Sequence, residues 1–464
     1  IRPPSVRSGS IPARCPADAA GSEAAVSVSG FAIDNVTNKG NISGTGTGLD
    51  INTGAQRVVI NNDSGATISS TTANAVNIQS LLGDFNNNGN IIGAENGIYV
   101  SESSSAVNIT NTSTGVIKGK TGLSSQTGIG INNSGAIIGT SGNAITLGTG
   151  NTKILNSGTV QGTQNGINVK DTAKVDITNS GTISGDTAAI MFASNKNNTL
   201  VLDTGSTLIG DVISTNSMGN TLTLIGTGTE DSNFVGLNEG DGFASVKMEG
   251  ESWALSGDLD IIGSGDSLLI ETGALTLSGA VSNTGNTRVA KDASLQLGET
   301  ATLSGGLTNN GTVIFNQGSD FTFATDMTGS GNVEKVDSNT LTLTGKNSYT
   351  GNTVLHGGTT LVSTGATLGV KGSNATVTVE NGATFATAGE VNNNIAILSG
   401  GTLAAWNAVQ GNSTLSASGV DTINGNVANG GTLLLSAADN SVGNNFTING
   451  DYTGSDGSQI VMNS

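Results

Sequence analysis

Apolar and polar residues alternate along this chain in short runs, and the runs recur. The phrase "ITNSGTISG" (177–185) is preceded by "ILNSGTVQG" (154–162), "INNSGAIIG" (131–139), "FNNNGNIIG" (85–93) and "VTNKGNISG" (36–44). Aligned on their first residue, the copies start at Val36, Ile60, Phe85, Ile109, Ile131, Ile154 and Ile177, with spacings of 24, 25, 24, 22, 23 and 23. Two positions later every copy carries asparagine: Asn38, Asn62, Asn87, Asn111, Asn133, Asn156 and Asn179. A second phrase follows each first one: "GLDI" (48–51), "AVNI" (75–78), "GIYV" (97–100), "AITL" (144–147), "GINV" (166–169) and "AIMF" (189–192). Its order is small, apolar, variable, apolar, and a period of two places the apolar pair on one face of a strand. Strands this short bury too little alone, so copies must stack, with Gly, Asn and Ser forming the corners between them. The pattern predicts an all-β fold, a right-handed three-stranded parallel β-helix (β-solenoid) with about 23 residues per rung. At about 4.8 Å per rung, 16–19 rungs would make a rod of roughly 75–90 Å.

The asparagines lie two positions after an inward aliphatic residue and therefore point inward. A buried amide must be satisfied, and a stacked amide ladder does this for every member but the last. The competing use, N-glycosylation at Asn41-Ile-Ser43 and Asn132-Asn-Ser134, accounts for the sequons but not for the repeat. The variable residue of the second phrase points outward, giving a ladder of Asp50, Asn77, Tyr99, Thr146, Asn168 and Met191 along one face. After about residue 200 the first phrase fades, while alternation persists in "TLTLIG" (221–226), "SLLIETGALTLSG" (267–279) and "TLVSTGATLGV" (360–370). No linker interrupts it, so residues 21–464 are expected to form one continuous solenoid with a change of repeat grammar.

Composition sharpens this picture. All four prolines fall within the first sixteen residues, beside three of the five arginines and the single cysteine, Cys15. A proline-free run of this length suits continuous sheet, since proline lacks the N–H a ladder needs. Residues 1–20 are expected to be a leader, an expression scar or a loose cap. One cysteine cannot form an internal disulfide, and no apolar run reaches the length of a membrane helix, about 20 residues. Seventy glycines could signal disorder, but recurrent Val, Ile and Thr argue against it. The net charge of −18 argues against nucleic acid as a partner.

Two stretches are more specific than periodicity. "LTLTGKNSYTGNTVLHGGTTLV" (341–362) resembles the passenger-associated transport repeat of autotransporters. "FASVKMEGESWALSGD" (243–258) resembles another recurrent passenger segment with a Trp-x-Leu-x-Gly core. The segment 446–464, "FTINGDYTGSDGSQIVMNS", looks like the opening of an autochaperone region. Over roughly residues 25–464 the chain resembles an autotransporter passenger of the AIDA-type adhesin class and is similar to UpaB-like passengers. That resemblance implies export across the outer membrane to a Gram-negative cell surface, and no membrane insertion by this segment, which carries no translocator barrel.

Catalysis finds little to work with. The chain has no Asp-Asp pair and one histidine, His356, inside the transport-like repeat, so neither a carboxylate pair nor a base is at hand. Asp63-Ser64-Gly65 has the look of a nucleophile motif but sits on the repeat phrase and lacks a nearby histidine. No enzyme activity and no cofactor are expected. "NEGDGF" (238–243), "GSGDS" (263–267) and "GSDGS" (454–458) read as acidic turns, with structural calcium left open beside that reading.

Surface charge is uneven. Residues 103–200 hold six lysines against three acids, and residues 201–300 hold fourteen acids against three cations. A basic strip could hold a sulfated or uronic glycan, with Lys118, Lys153, Asn168, Lys170, Asp171, Lys174 and Lys196 as its candidate residues. Arg288, Lys291 and Asp292 form a second cluster. Together with the resemblance, these features point to an adhesin for host-surface glycans such as glycosaminoglycans, or for matrix proteins such as fibronectin. The alternative is self-association in trans, supporting aggregation and biofilm formation.

Overall fold

The computed structural model describes residues 24–463 apart from 30–34, 53–56, 81, 105, 215–218, 233–241, 406–420 and 437–445, together with the short strands Gly9–Ile11 and Arg14–Pro16. The fold is an all-β parallel solenoid of about 17 turns with about 23 residues per turn, and no helix occurs among the described residues. The chain divides into two compact units, Ile1–Ala244 and Ser245–Ser464.

In the first unit each turn contributes one strand to each of three sheets. A representative turn is Asn151–Asn156, Thr159–Gly162 and Asn165–Val169, followed by Lys174–Asn179, Thr182–Gly185 and Ala188–Phe192. Register is held residue for residue: Ile154 faces Ile177, Val160 faces Ile183 and Ile167 faces Ile190. The cause is the alternation read in the sequence. Ile60, Phe85, Ile109, Ile131, Ile154 and Ile177 form one buried column, and Ile68, Ile91, Ile117, Ile137, Val160 and Ile183 form another. Each aliphatic residue packs on its equivalents above and below, so a repeated residue type is self-complementary in shape.

The corner between the first and second sheets requires glycine. A Cβ at Gly158 would lie 2.2 Å from the Gly135 carbonyl oxygen of the preceding turn. Gly135 and Gly181 meet the carbonyl oxygens of Gly115 and Gly158 at the same 2.2 Å, so at these corners successive turns approach too closely for a side chain, while Gly65 has open space and is glycine for its φ of 77°. Within the segment expected to be a leader or loose cap, Gly9–Ile11 pairs with Asn35–Asn38 and Arg14–Pro16 pairs with Asn41–Gly44.

The second unit keeps the parallel stack and shortens many of its turns. Thr287 faces Leu307 and Val313 faces Val333, steps of twenty residues. Trp253 and Leu255, the core of the passenger-like segment, are buried on the strand Ser252–Leu255. In the transport-like repeat Leu341, Leu343, Tyr349, Leu355 and Leu361 all point into the core. The buried Tyr349 hydroxyl is satisfied by Thr353 Oγ1 at 2.6 Å. Lys335 is also inward, 1% exposed, and its ammonium donates to Asn339 Oδ1 at 3.0 Å, to the Gly357 carbonyl at 3.2 Å and to the Asp337 carbonyl. Residues 446–463 form three further strands, Phe446–Ile448, Tyr452–Gly454 and Gln459–Asn463. Ile460 stands in register with buried Leu433 yet is 60% exposed.

Candidate functional site

The asparagines of the first phrase build the frame on which every outward side chain stands. Asn38 Nδ2 donates to Asn62 Oδ1 at 2.8 Å, and the same bond repeats from Asn62 to Asn87, Asn111, Asn133, Asn156 and Asn179 at 2.7–2.8 Å. Each amide donates a second time to corner backbone, for example Asn133 to the Thr159 carbonyl at 3.2 Å. The sequence left the last member without a partner. The structure supplies one: Asn179 Nδ2 donates to Ser206 Oγ at 2.7 Å. The sequon residues Asn41 and Asn132 lie outside this ladder and are exposed.

On the third sheet the variable residues stand in register, Asp50 beside Asn77, then Tyr99, Ser124, Thr146, Asn168 and Met191. Ser124 joins the column that the sequence drew without it. These side chains are less open than the alternation implied. Thr146 is 8% exposed, because Asn143 Nδ2 bonds its hydroxyl at 3.0 Å. Asp50 Oδ1 accepts from Asn77 Nδ2 at 2.9 Å and from Gln79 Nε2 at 2.7 Å.

A second column lies at or directly after the end of the third strand, through Asn52, Gln79, Ser101, Gln126, the buried Gly148 and Lys170. Their backbones stack through bonds such as Gln79 N–H to the Ile51 carbonyl and Gln126 N–H to the Val100 carbonyl. Where this column meets Tyr99 the corner opens into a groove of about 590 Å³, lined by Asn52, Gln79, Ser80, Tyr99, Ser101, Glu102, Ser103, Gln126 and Thr149. The sequence reading identified Tyr99 and missed the rest. The signal was the polar residue that follows four of the six second phrases, Asn52, Gln79, Ser101 and Lys170.

The basic candidates are divided among different faces. Lys118 is exposed on the second sheet, in register with Ile92 and Ile138. Lys153 and Lys174 stand on the first sheet, where Lys153 is in register with Asp176 and Lys174 Nζ lies 3.7 Å from Asp176 Oδ1. Lys170, Asp171 and Lys196 occupy the corner between the third and first sheets, with Asp171 at φ 56°. The structure thus brings Lys153, Lys170, Lys174 and Lys196 to adjoining elements, sets Asp176 among them and leaves Lys118 apart. In the second unit Arg288 Nη1 pairs with Glu271 Oε1 at 3.4 Å, while Lys291 and Asp292 (φ 67°) are exposed in the turn that follows.

His356 Nδ1 lies 3.0 Å from Glu380 Oε2, and its Nε2 lies 3.7 Å from Glu334 Oε2, all on an exposed face of the second unit. Asp63, Ser64 and Gly65 form a tight turn, with Gly65 at φ 77° and Ala66 N–H bonded to the Asp63 carbonyl. Of the acidic turns, Asp266 Oδ1 accepts from Asn286 Nδ2 at 2.9 Å, Gly454–Ser458 is an exposed turn, and residues 238–241 lie outside the described residues. Among the described residues, no group of three or more His, Cys, Asp or Glu is placed to hold a metal ion. No helix among them is long and apolar enough to cross a membrane.

No family model matches the chain, and no solved structure matches it. Over a short stretch it is similar to the adhesin BmaC autotransporter of Brucella suis biovar 1 (strain 1330), with 44% identity over 78 residues. The match covers 17% of this chain and 2% of the Brucella protein. With the parallel solenoid, that partial similarity fits an autotransporter passenger.

Proposed function

We propose that this chain is the exported passenger of an autotransporter of the AIDA type and acts as an adhesin on the bacterial surface. Its ligands are host glycans such as glycosaminoglycans, or a matrix protein such as fibronectin, held along the outward faces of the first unit. The observation that carries this reading is the conjunction of the short match to an adhesin autotransporter with polar columns repeated turn after turn on one face. Repetition at the rung spacing lets one polymer meet many equivalent weak contacts, whose sum gives avidity. A hydrogen-bonded frame loses little conformational entropy when it binds. The reading includes no catalytic step and no cofactor.

Within it, Lys153, Lys170, Lys174 and Lys196 are the contacts for an anionic glycan. The test is binding of the purified chain to immobilised heparin at low and moderate salt. We expect salt-sensitive retention that falls when these four lysines become alanine. Retention that is unchanged by the substitutions refutes this assignment.

A second reading, self-association in trans, is favoured by one feature. Ile92, Lys118, Ile138, Gln161, Ser184 and Ile209 form a single outward column on the second sheet, with Ile92 and Ile209 42% and 57% exposed. Apolar side chains aligned on a flat face suit another flat face. Concentration-dependent sedimentation that Ile209→Ser abolishes would support it.

A further inference from the structure

We propose that the corner groove of the first unit binds an uncharged, extended oligosaccharide of equatorially linked hexopyranose units, stacked on Tyr99. This rests on the adhesin reading above and gives it a ligand class and a groove whose lining contains none of the four lysines, although Lys170 stands two turns beyond Gln126 in the same corner column.

The lining chooses the class. Among the described lining residues Glu102 is the one carboxylic acid, and none is lysine or arginine. Sulfated and uronic sugars are therefore repelled rather than gathered here. What remains is a tyrosine ring, two long amides and several hydroxyls. That combination suits a sugar whose axial C–H bonds give it an apolar face and whose rim carries hydroxyls.

The groove is also organised in advance. Gln79 Nε2 is committed to Asp50 Oδ1 at 2.7 Å, which leaves its Oε1 as an oriented acceptor. Gln126 lies across the next turn because residue 148 is glycine, where a Cβ would come 2.6 Å from Gln126 Oε1. The serine of the column is held as well, Ser101 Oγ donating to the Gln79 carbonyl at 3.0 Å. The volume of about 590 Å³ falls within the usual range for ligand sites, roughly 300–1,000 Å³.

Spacing adds a second, independent argument. Asn52, Gln79, Ser101 and Gln126 come from four successive turns, so polar groups recur at the rung spacing, about 4.8 Å. That is close to the length of one pyranose ring in an extended chain. A linear saccharide lying along the corner therefore meets an equivalent polar group at each unit, while a compact ligand would meet only one or two.

The experiment titrates the full chain with cellohexaose and chitohexaose by calorimetry, at low and high salt, with a heparin oligosaccharide beside them. We expect one of the uncharged probes to bind with an affinity that salt leaves unchanged. Tyr99→Ala should weaken it by about tenfold or more, Gln126→Ala should weaken it less, and Tyr99→Phe should retain it. The fourfold lysine variant should leave this binding intact. Circular dichroism verifies the fold of each variant, and Gln126→Ala provides the test if Tyr99→Ala does not fold. If heparin binds and neither uncharged probe does, the groove proposal is wrong and the adhesin reading stands. If no saccharide binds, the proposal and the glycan form of that reading both fall. Uncharged-probe binding that survives both Tyr99→Ala and Gln126→Ala places the site elsewhere and overturns the proposal.

Discussion

Replacing Asn133 by alanine tests whether the asparagine ladder holds the first unit together. Asn133 sits mid-ladder, fully buried, accepting from Asn111 Nδ2 at 2.8 Å and donating to Asn156 Oδ1 at 2.7 Å. It also donates to the Gly135 and Thr159 carbonyls at 3.3 and 3.2 Å. Alanine would orphan the Asn156 Oδ1 acceptor and remove one of three acceptors from Asn111 Nδ2, which keeps the Gly115 and Ala136 carbonyls. An orphaned buried group costs about 1–3 kcal/mol, so the expected loss is about 1–3 kcal/mol. The neighbouring Asn132→Ala is the control, since Asn132 is exposed and surface changes usually stay within about 0.5 kcal/mol. Asn38→Ala should cost a similar amount, because its loss orphans Asn62 Oδ1 in the same way, while the half-buried Gly40 N–H can turn to water. A stacked repeat need not unfold in one step. The assay is therefore hydrogen exchange at the strands Gly130–Asn133 and Asn151–Asn156, which reports local opening. Equal protection in Asn133→Ala and Asn132→Ala would refute the reasoning and reduce the ladder to a bystander.

Two other outcomes follow from corner packing and burial. Gly158→Ala places a Cβ 2.2 Å from the Gly135 carbonyl oxygen, so it should destabilise the local turns by about 1–3 kcal/mol, read by the same exchange at Thr159–Gly162. Glu230 is 4% exposed, and burial, with the nearby Asp231 charge adding, pushes its carboxyl up to about 8. A raised folded value means that the protonated form is favoured by folding, so its contribution is full below the ordinary glutamate value of about 4.3 and lost as pH rises through about 8. Thermal melts of the parent should fall across that window, and Glu230→Gln should flatten the profile. An unchanged slope in the variant would contradict the assignment.

On these proposals the groove and the lysine cluster take different glycans on neighbouring turns of the first unit, with Lys170 in the same corner column as Gln126. A salt-sensitive and a salt-insensitive mode would then coexist, the first tied to Lys153, Lys170, Lys174 and Lys196, the second to Tyr99. The mixed column of Ile92, Lys118, Ile138, Gln161, Ser184 and Ile209 stands on the second sheet.

Much of this architecture was legible before any coordinates. The seven aligned apolar residues and their asparagines are a local, repeated pattern, and period-two alternation decides facing without reference to distant residues. Hence the inward columns, the direction of Asn133 and the alignment of Asp50, Asn77 and Tyr99 could be read from spacing alone. Corners obey no such rule, because their path depends on turn conformation and on the turn stacked beneath. That is why Ser206 as the ladder's last acceptor, Asn143 covering Thr146, and the room that Gly148 leaves for Gln126 were visible only in the folded chain. The same reason separates Lys118 from Lys153 and Lys174: nearness in sequence said that the lysines share a region, but only the three-sheet geometry decided which of them share a face.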